Sequence, residues 1–253
     1  MNEINLSAVV LTKDSELTIA NCLRSINFVD EVIVIDDCSQ DKTIKIVQEY
    51  DCRIFKKNLE NDFSKQRNFG ISKAQGKWVL FVDSDEIVTK ELKNEIIQVT
   101  TDVFNSTDGY FLKRRDVFLR NKLEFGEWGK NKFLRLARRK SGKWVRKVHE
   151  FWEIEGKKKT LKSELLHYPH TNLHEFINEI SFFSSLHTDA NFLENKKSTL
   201  FKIIFFPKIK FLQNWILRGG FKDGDSGFII SLIMSFHSFL SWSKLWLKTK
   251  QNS

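Results

Sequence analysis

The chain has 253 residues, a formal net charge of +9 and three cysteines. That length is enough for one large or two small cores. The odd, unevenly placed Cys22, Cys38 and Cys52 exclude a disulfide framework or a zinc site and fit a reducing cytosol. Asn2 and Glu3 lead straight into strand-like sequence, so no signal peptide is expected. The charge is local: residues 196–253 carry ten Lys/Arg and two acids, a net of +8, which leaves +1 for residues 1–195. A basic, Phe- and Trp-rich tail suits an anionic membrane surface or nucleic acid.

Residues 6–11 (LSAVVL) read as a buried strand ending at Thr12-Lys13-Asp14. A helix is expected from about Ser15, capped by Asp14 or Ser15, with Ile19, Leu23 and Ile26 on one face. Residues 31–37 (EVIVIDD) form a second strand that ends in acids. Cys38-Ser39-Gln40 turns the chain, and Asp41 caps a helix carrying Ile44, Val47 and Tyr50. A short strand at 52–55 and a helix at 64–74 follow. Then Trp78 to Val82, five apolar residues, run into Asp83-Ser84-Asp85-Glu86. In an extended chain side chains alternate, so Asp83 and Asp85 are expected to face the same way.

Carboxyl ends of strands are where open α/β sheets place ligands. Paired carboxylates there suit Mg²⁺ or Mn²⁺, which in turn clamps a phosphate; the plain alternative is a solvated acidic turn. The strands near Leu11, Ile35 and Val82 deliver polar residues to one edge, and their helical crossovers imply a mainly parallel, Rossmann-type α/β sheet. Neither Gly-x-Gly-x-x-Gly nor a Gly-Lys-Ser/Thr loop is present, so neither NAD nor P-loop ATP is expected. A nucleotide here would be held by side chains and its diphosphate by a metal.

In order, Thr12-Lys13-Asp14, the run VIDDCSQDKT at 34–43, Gln66-Arg67-Asn68-x-Gly70, and the run from Gly76 to Glu86 resemble family 2 glycosyltransferases. These are inverting enzymes of the GT-A fold. The resemblance implies that Thr12 and the Asp36/Asp37 pair hold the uridine end of a nucleotide sugar, with Asp14 in the same pocket. It places Arg67 near the base or phosphate, and makes Asp83 and Asp85 the metal-binding Asp-x-Asp motif, with Asp83 also at the nucleotide. Two positions depart from the family's habit: Asp14 stands where Asn is frequent, and Cys38 where Gly is frequent.

Farther on, 91–101 reads as a helix with Leu92, Ile96 and Val99 inward, and 109–112 and 132–136 as strands. The polar stretch 114–130 is a candidate acceptor loop, whose Phe118, Phe125 and Trp128 either stack on a sugar or anchor the loop. Residues 144–150 read as a strand ending in His149-Glu150. An inverting transfer needs a base to take the acceptor hydroxyl's proton; the plain alternative is a structural ion pair. Val148-His149-Glu150 before Gly156, then His167-Tyr168, resembles the lipopolysaccharide-core β-glucosyltransferase branch of the family. That likeness implies Glu150 as base, His149 supporting it or approaching the metal, and His167 in the same site.

Thr171 is expected to cap a packing helix with Phe176, Ile180 and Phe183. Residues 200–217 are expected to form two short helices broken at Pro207, followed by a glycine-rich turn at 219–228. Residues 226–243 carry no formal charge, yet six of these eighteen residues are serine, and lysines flank them. Such a helix is expected to lie in a membrane interface or to dock on the catalytic domain, rather than to span the membrane.

The expected layout is a catalytic domain at 1–195 (nucleotide-sugar half 1–90, acceptor half 91–170, helix 171–195) and a membrane-associating helical segment at 196–253. The expected activity is metal-dependent inverting transfer from a UDP-sugar, a hexose donor, to a lipid-linked or lipopolysaccharide-core saccharide. It is expected at the cytoplasmic face of the inner membrane, with no nucleic-acid partner. Two alternatives stand beside it. A sugar nucleotidyltransferase would have a Gly-rich, Arg-bearing first loop, which is missing here. A non-catalytic basic module for membrane or RNA does not account for three acidic strand ends.

Overall fold

The computed structural model describes residues 4–60, 62–118, 121–129, 131–147, 150–169 and 173–251. The chain forms two compact units, Met1–Arg115 with Asn131–Tyr168, and Asp116–Lys130 with Pro169–Ser253. Composition drew its line at 195. In the structure the helix before that point groups with the tail.

In the first unit, β1 (Leu6–Thr12) is buried along its whole length. It pairs in parallel with β2 (Glu31–Asp36) on one side and β4 (Trp78–Asp83) on the other, and β3 (Arg53–Lys56) extends β2. Period-2 alternation sorts the core into two faces. Ala8, Val10, Val34, Leu80 and Val82 meet Ile19 and Leu23 of α1 (Ile19–Ser25) and Leu92 and Ile96 of α4 (Lys90–Thr101). Val9, Leu11, Ile35, Val79 and Phe81 face the opposite layer, with Trp144 and Trp152. On that side α3 (Phe63–Lys73), capped by Asp62, lies so close that a Cβ at Gly70 would stand 2.5 Å from Val9 Cγ1.

Beyond β4 the sheet turns antiparallel. β5 (Glu86–Val88), β6 (Gly109–Phe118), β8 (Asn131–Arg138) and β11 (Lys158–His167) complete the order β3-β2-β1-β4-β8-β6-β11-β5. The parallel half is as the crossovers require, and the whole is a mixed nine-stranded sheet, counting β7 (Asn121–Lys122) paired to the end of β6. A separate ribbon joins β9 (Gly142–Val145) to β10 (Phe151–Ile154).

Three local expectations are corrected. The first helix starts at Ile19, because Asp14 adopts φ +43° and residues 15–18 form a turn closed on the Ser15 carbonyl. The helix after Asp41 shortens to α2 (Thr43–Val47), with Asp41 accepting from the Thr43 amide at 2.9 Å. The strand expected at 144–150 ends at Val145, since Arg146 turns to φ +70°.

The second unit holds α5 (Leu173–Leu193), α6 (Leu200–Leu212) and α7 (Gly224–Gln251). Phe118, Leu123, Phe176, Ile180 and Ile230 make its small core. Pro207 does not break α6. The helix runs through it, with the proline buried and its carbonyl accepting from Ser235 Oγ of α7 at 2.8 Å. Packing against α7 overrides the lost backbone donor, and the irregularity moves to a π-helical turn at Gln213–Leu217. Gly219 at φ +73° and Gly224 at φ +60° then fold the chain back into α7. Thr171, the expected cap of α5, lies outside the described residues.

Candidate active site

Strand register assembles the site. β1 sets Thr12 opposite Asp36 and Leu11 opposite Asp83, so the loops after β1, β2 and β4 open at one edge.

At the end of β2 the carboxylates organise their own loops. Asp36 accepts from the Ser39 amide at 3.2 Å and the Ser39 hydroxyl at 2.6 Å. Asp37 accepts from the Leu59 amide at 2.7 Å and pairs with Lys13 at 3.1 Å; that hydrogen bond raises the Lys13 pKa above its ordinary value. Asp14 accepts from the Gln40 amide at 2.7 Å. Thr12 is buried, and its hydroxyl has no hydrogen-bond partner among the described residues. Asp14 and Cys38 both sit at positive φ, +43° and +59°. In that left-handed region Asn and Gly are at ease, so Asp14 and Cys38 hold backbone conformations that those residues adopt more readily.

At the end of β4 the partners come from far along the chain. Asp83 accepts from Arg67 Nη2 at 3.0 Å and from Arg135 Nη2 at 2.6 Å. Burial raises the Asp83 pKa, but the Arg135 and Arg67 guanidiniums outweigh it and hold the carboxyl well below the usual range. Glu86, fully buried, accepts from the Asp83 amide at 2.9 Å. Burial, only partly offset by Arg135, pushes the Glu86 carboxyl up. Burial also pushes up the Cys22 thiol, which donates to the Asp83 carbonyl at 3.4 Å.

Arg67 is buried on α3, with its guanidinium 4.6 Å from the Trp144 ring. It also donates from Nε to Glu150 at 2.9 Å, so one guanidinium joins Asp83 to Glu150. Glu150 itself lies between β9 and β10 rather than at a strand end. His149 is outside the described residues.

The strand stops at Asp83, and Ser84 and Asp85 form a turn. Alternation therefore does not decide where Asp85 points, contrary to the expectation from an extended run. Asp85 instead meets His167, Nε2 to Oδ2 3.3 Å, because β11 pairs with β5 and the Tyr168 amide donates to the Asp85 carbonyl. With its side chain 32% exposed, Asp85 is the open member of the pair. A carboxylate and an imidazole, completed by phosphate oxygens and water, suit a cation that takes only one or two protein groups. Among the described residues no cluster of three or more His, Cys, Asp or Glu could hold a metal by itself.

Sequence reasoning missed Arg135 and the structural part played by Glu86. The one available signal was Leu134-Arg135-Leu136, an arginine inside an apolar strand, which needs a buried acid. The aromatics of the candidate acceptor loop are anchors. Phe118 and Trp128 pack on Phe176 at 5.8 and 5.4 Å, and Lys222 lies 5.0 Å over Phe125.

The profile of glycosyl transferase family 2 matches residues 7–152. The lipopolysaccharide core biosynthesis glycosyltransferase LpsC of Rhizobium meliloti is 26% identical over 262 residues, 99% of this chain and 96% of LpsC. An uncharacterized glycosyltransferase of Rickettsia felis is 26% identical over 256 residues, 95% of this chain and 89% of that one. Among solved structures, S. aureus TarS 1-349 superposes with a TM-score of 0.50 at 17% identity, over 99% of this chain and 92% of that chain. Its complex with UDP gives the same values. The family match spans the strand-end acids, Arg67, Arg135 and Glu150 alike, and the chain belongs to glycosyl transferase family 2.

Proposed function

We infer that the protein is a metal-dependent inverting hexosyltransferase that moves a sugar from a UDP-sugar to a hydroxyl of a lipid-linked saccharide. The observation that carries this reading is the Arg67 bridge, 3.0 Å to Asp83 and 2.9 Å to Glu150. It ties the acid at the expected donor site to a carboxylate suited to act as base. Thr12, Asp14, Asp36 and Asp37 line the uridine end, and the unpartnered Thr12 hydroxyl offers a contact there.

Asp85 and His167, with Asp83 beside them, hold Mg²⁺ or Mn²⁺. When bound, such a cation offsets the negative charge that builds up on the departing diphosphate. Glu150, oriented by Arg67, accepts the proton from the acceptor hydroxyl as that oxygen bonds to the anomeric carbon and the bond from that carbon to the diphosphate oxygen breaks. His149, adjacent to Glu150 in the sequence, would be a supporting group for that base or for the metal.

The similarity to LpsC over nearly the whole of both chains favours a lipopolysaccharide-core acceptor. The UDP complex of TarS, a structure of like fold, favours a uridine nucleotide. Work on such an acceptor places the enzyme at the cytoplasmic face of the inner membrane, with its basic C-terminal segment against anionic lipid.

The test is a titration of UDP-sugars with Mn²⁺ and with Mg²⁺, followed by turnover on lipopolysaccharide-core acceptors. Saturable, metal-dependent donor binding with slow donor hydrolysis supports the reading. Metal-independent binding, or transfer of a nucleotidyl group to a sugar phosphate, overturns it.

A further inference from the structure

The polarity of the second unit is partly inverted. Where helices meet, Ser184 and Thr188 of α5 and Ser231 and Ser241 of α7 are buried beside a small apolar core that includes Phe176, Ile180 and Ile230. Thr188 Oγ1 donates across the interface to the Ser241 carbonyl at 3.0 Å. Lys244 of α7 donates to the Ser184 and Ser185 hydroxyls of α5, each at 2.8 Å. The rings of His187 and His237 lie 5.5 Å apart between the same two helices. Large apolar side chains point outward instead: Phe182 of α5, Phe201 and Phe205 of α6, and Leu232, Phe236 and Phe239 of α7 are each more than 40% exposed. Water-soluble bundles bury such residues and expose the hydroxyls. Small polar residues hydrogen-bonding between helices, with bulky apolar residues outside, is the packing used where the solvent is lipid.

Two features limit the depth. Lys208 is exposed on α6 between Phe205 and Ile209, its ammonium 5.5 Å from the Phe205 ring. A charge there is costly at a bilayer's midplane but reaches the headgroups easily from a helix lying in the interface. The outward apolar run of α7 from Phe228 to Phe239 rises about 17 Å, roughly half of a ~30 Å hydrocarbon core. Lysines bracket it, with Lys222 before α7 and Lys248 and Lys250 near its end. The net +8 of residues 196–253 complements an anionic headgroup layer.

We propose that α5, α6 and α7 form a monotopic membrane module that sinks its outward apolar faces into one leaflet of an anionic bilayer. This rests on the membrane-facing reading of the tail above and deepens it: the surface includes α5, the contact is hydrophobic as well as electrostatic, and no helix crosses.

The experiment uses the full chain and vesicles of phosphatidylglycerol and phosphatidylethanolamine. The wild type is expected to float with vesicles even at about 1 M NaCl, where the Debye length is about 3 Å and simple charge attraction is screened. The triple variant Phe201→Ser, Phe205→Ser, Phe239→Ser, with its circular dichroism unchanged, is expected to lower the bound fraction about tenfold or more. Trypsin added outside is expected to cut after both Lys222 and Lys250, read by mass spectrometry.

Complete release of the wild type by salt, or flotation of the triple variant at wild-type level, overturns the proposal. Protection of either lysine means a spanning helix and overturns the single-leaflet claim. A wild-type dimer in solution that ignores vesicles, and that the triple variant converts to monomer, assigns the face to a second copy. UDP titration in parallel separates failures: UDP binding without flotation sinks only the module, and flotation without UDP binding sinks only the donor reading.

Discussion

The ends of β2 and β4 both present neighbouring acids at one edge of one sheet, yet they are held in opposite ways. Asp36 and Asp37 bind mainly backbone amides and a hydroxyl of nearby loops, Ser39 three residues away and Leu59 twenty-two. Among the described residues Asp83 binds no amide by its side chain. Its partners are two buried guanidiniums, from α3 and β8, fifty-two residues away in the case of Arg135. Hydrogen-bonded loop acids shape a pocket cheaply and locally. A buried ionic cluster is costly to assemble and costly to break, and its members lie where burial and charge tune each other.

The largest effect is expected where the ionic cluster reaches the chemistry. Glu150→Gln should lower kcat by about 10²–10⁴ while leaving UDP binding in place, measured by single-turnover transfer and calorimetry. Full turnover in that variant would remove Glu150 as the base. Next comes stability. Arg135→Met leaves Asp83 and Glu86 short of a counter-charge in a buried site, so a loss of about 3–5 kcal/mol is expected in urea unfolding. Adding Asp83→Asn to it should recover part of that loss. Ser39→Ala, which deletes one hydrogen bond to Asp36, should cost only about 1 kcal/mol. Equal costs at the two ends would erase the contrast.

The same contrast predicts pH dependence. Asp83 has a folded pKa below its unfolded value of about 3.9, so its contribution is full above about pH 5 and is lost as pH falls. Glu86 has a raised folded pKa, so its ionisation works the other way: stability declines as pH rises through its unfolded value of about 4.3 toward the folded one. Asp83→Asn should therefore flatten the acid limb of a stability–pH curve, and Glu86→Gln should steepen the rise above pH 4. Each change is bounded at about 1.4 kcal/mol per pH unit. A curve left unchanged by both variants would mean the cluster does not titrate with folding.

What the sequence made legible follows the same division between near and far. β1, β2, β4 and α4 announce themselves because apolar runs and the helical spacing of Leu92, Ile96 and Val99 are local signals. The converging acids at the sheet edge follow from strand ends alone. The partner choices do not: nothing near Arg135 says that it closes on Asp83, and nothing near Asp85 says that a turn will hand it to His167. Pro207 looked like a breaker because propensity ignores α7, whose Ser235 bonds its carbonyl. The late strand β11 carries many charges, so its period is weak, and β10 is only four residues long; pairing with β5 and β9 reveals them.

The smallest effect tests the local end of the comparison. Cys38 accepts from the Gln40 side chain through its carbonyl, and its φ of +59° is forced by the loop that Asp36 and Asp14 pin together. An L-residue in that region bears about 1–2 kcal/mol of strain, which glycine escapes, although glycine also gains freedom in the unfolded chain. The two terms partly offset each other in Cys38→Gly, so a net gain of about 1 kcal/mol is expected. Cys38→Ala keeps the Cβ and the strain, so the glycine variant should exceed it by about 1 kcal/mol in urea unfolding. Because the carbonyl and the Asp36 contacts are backbone and neighbour features, UDP affinity should hold in both variants. If alanine matched glycine, the loop would be relaxing out of the left-handed conformation. The β2 end would then be a pliant pocket rim rather than the fixed frame that its hydrogen bonds describe.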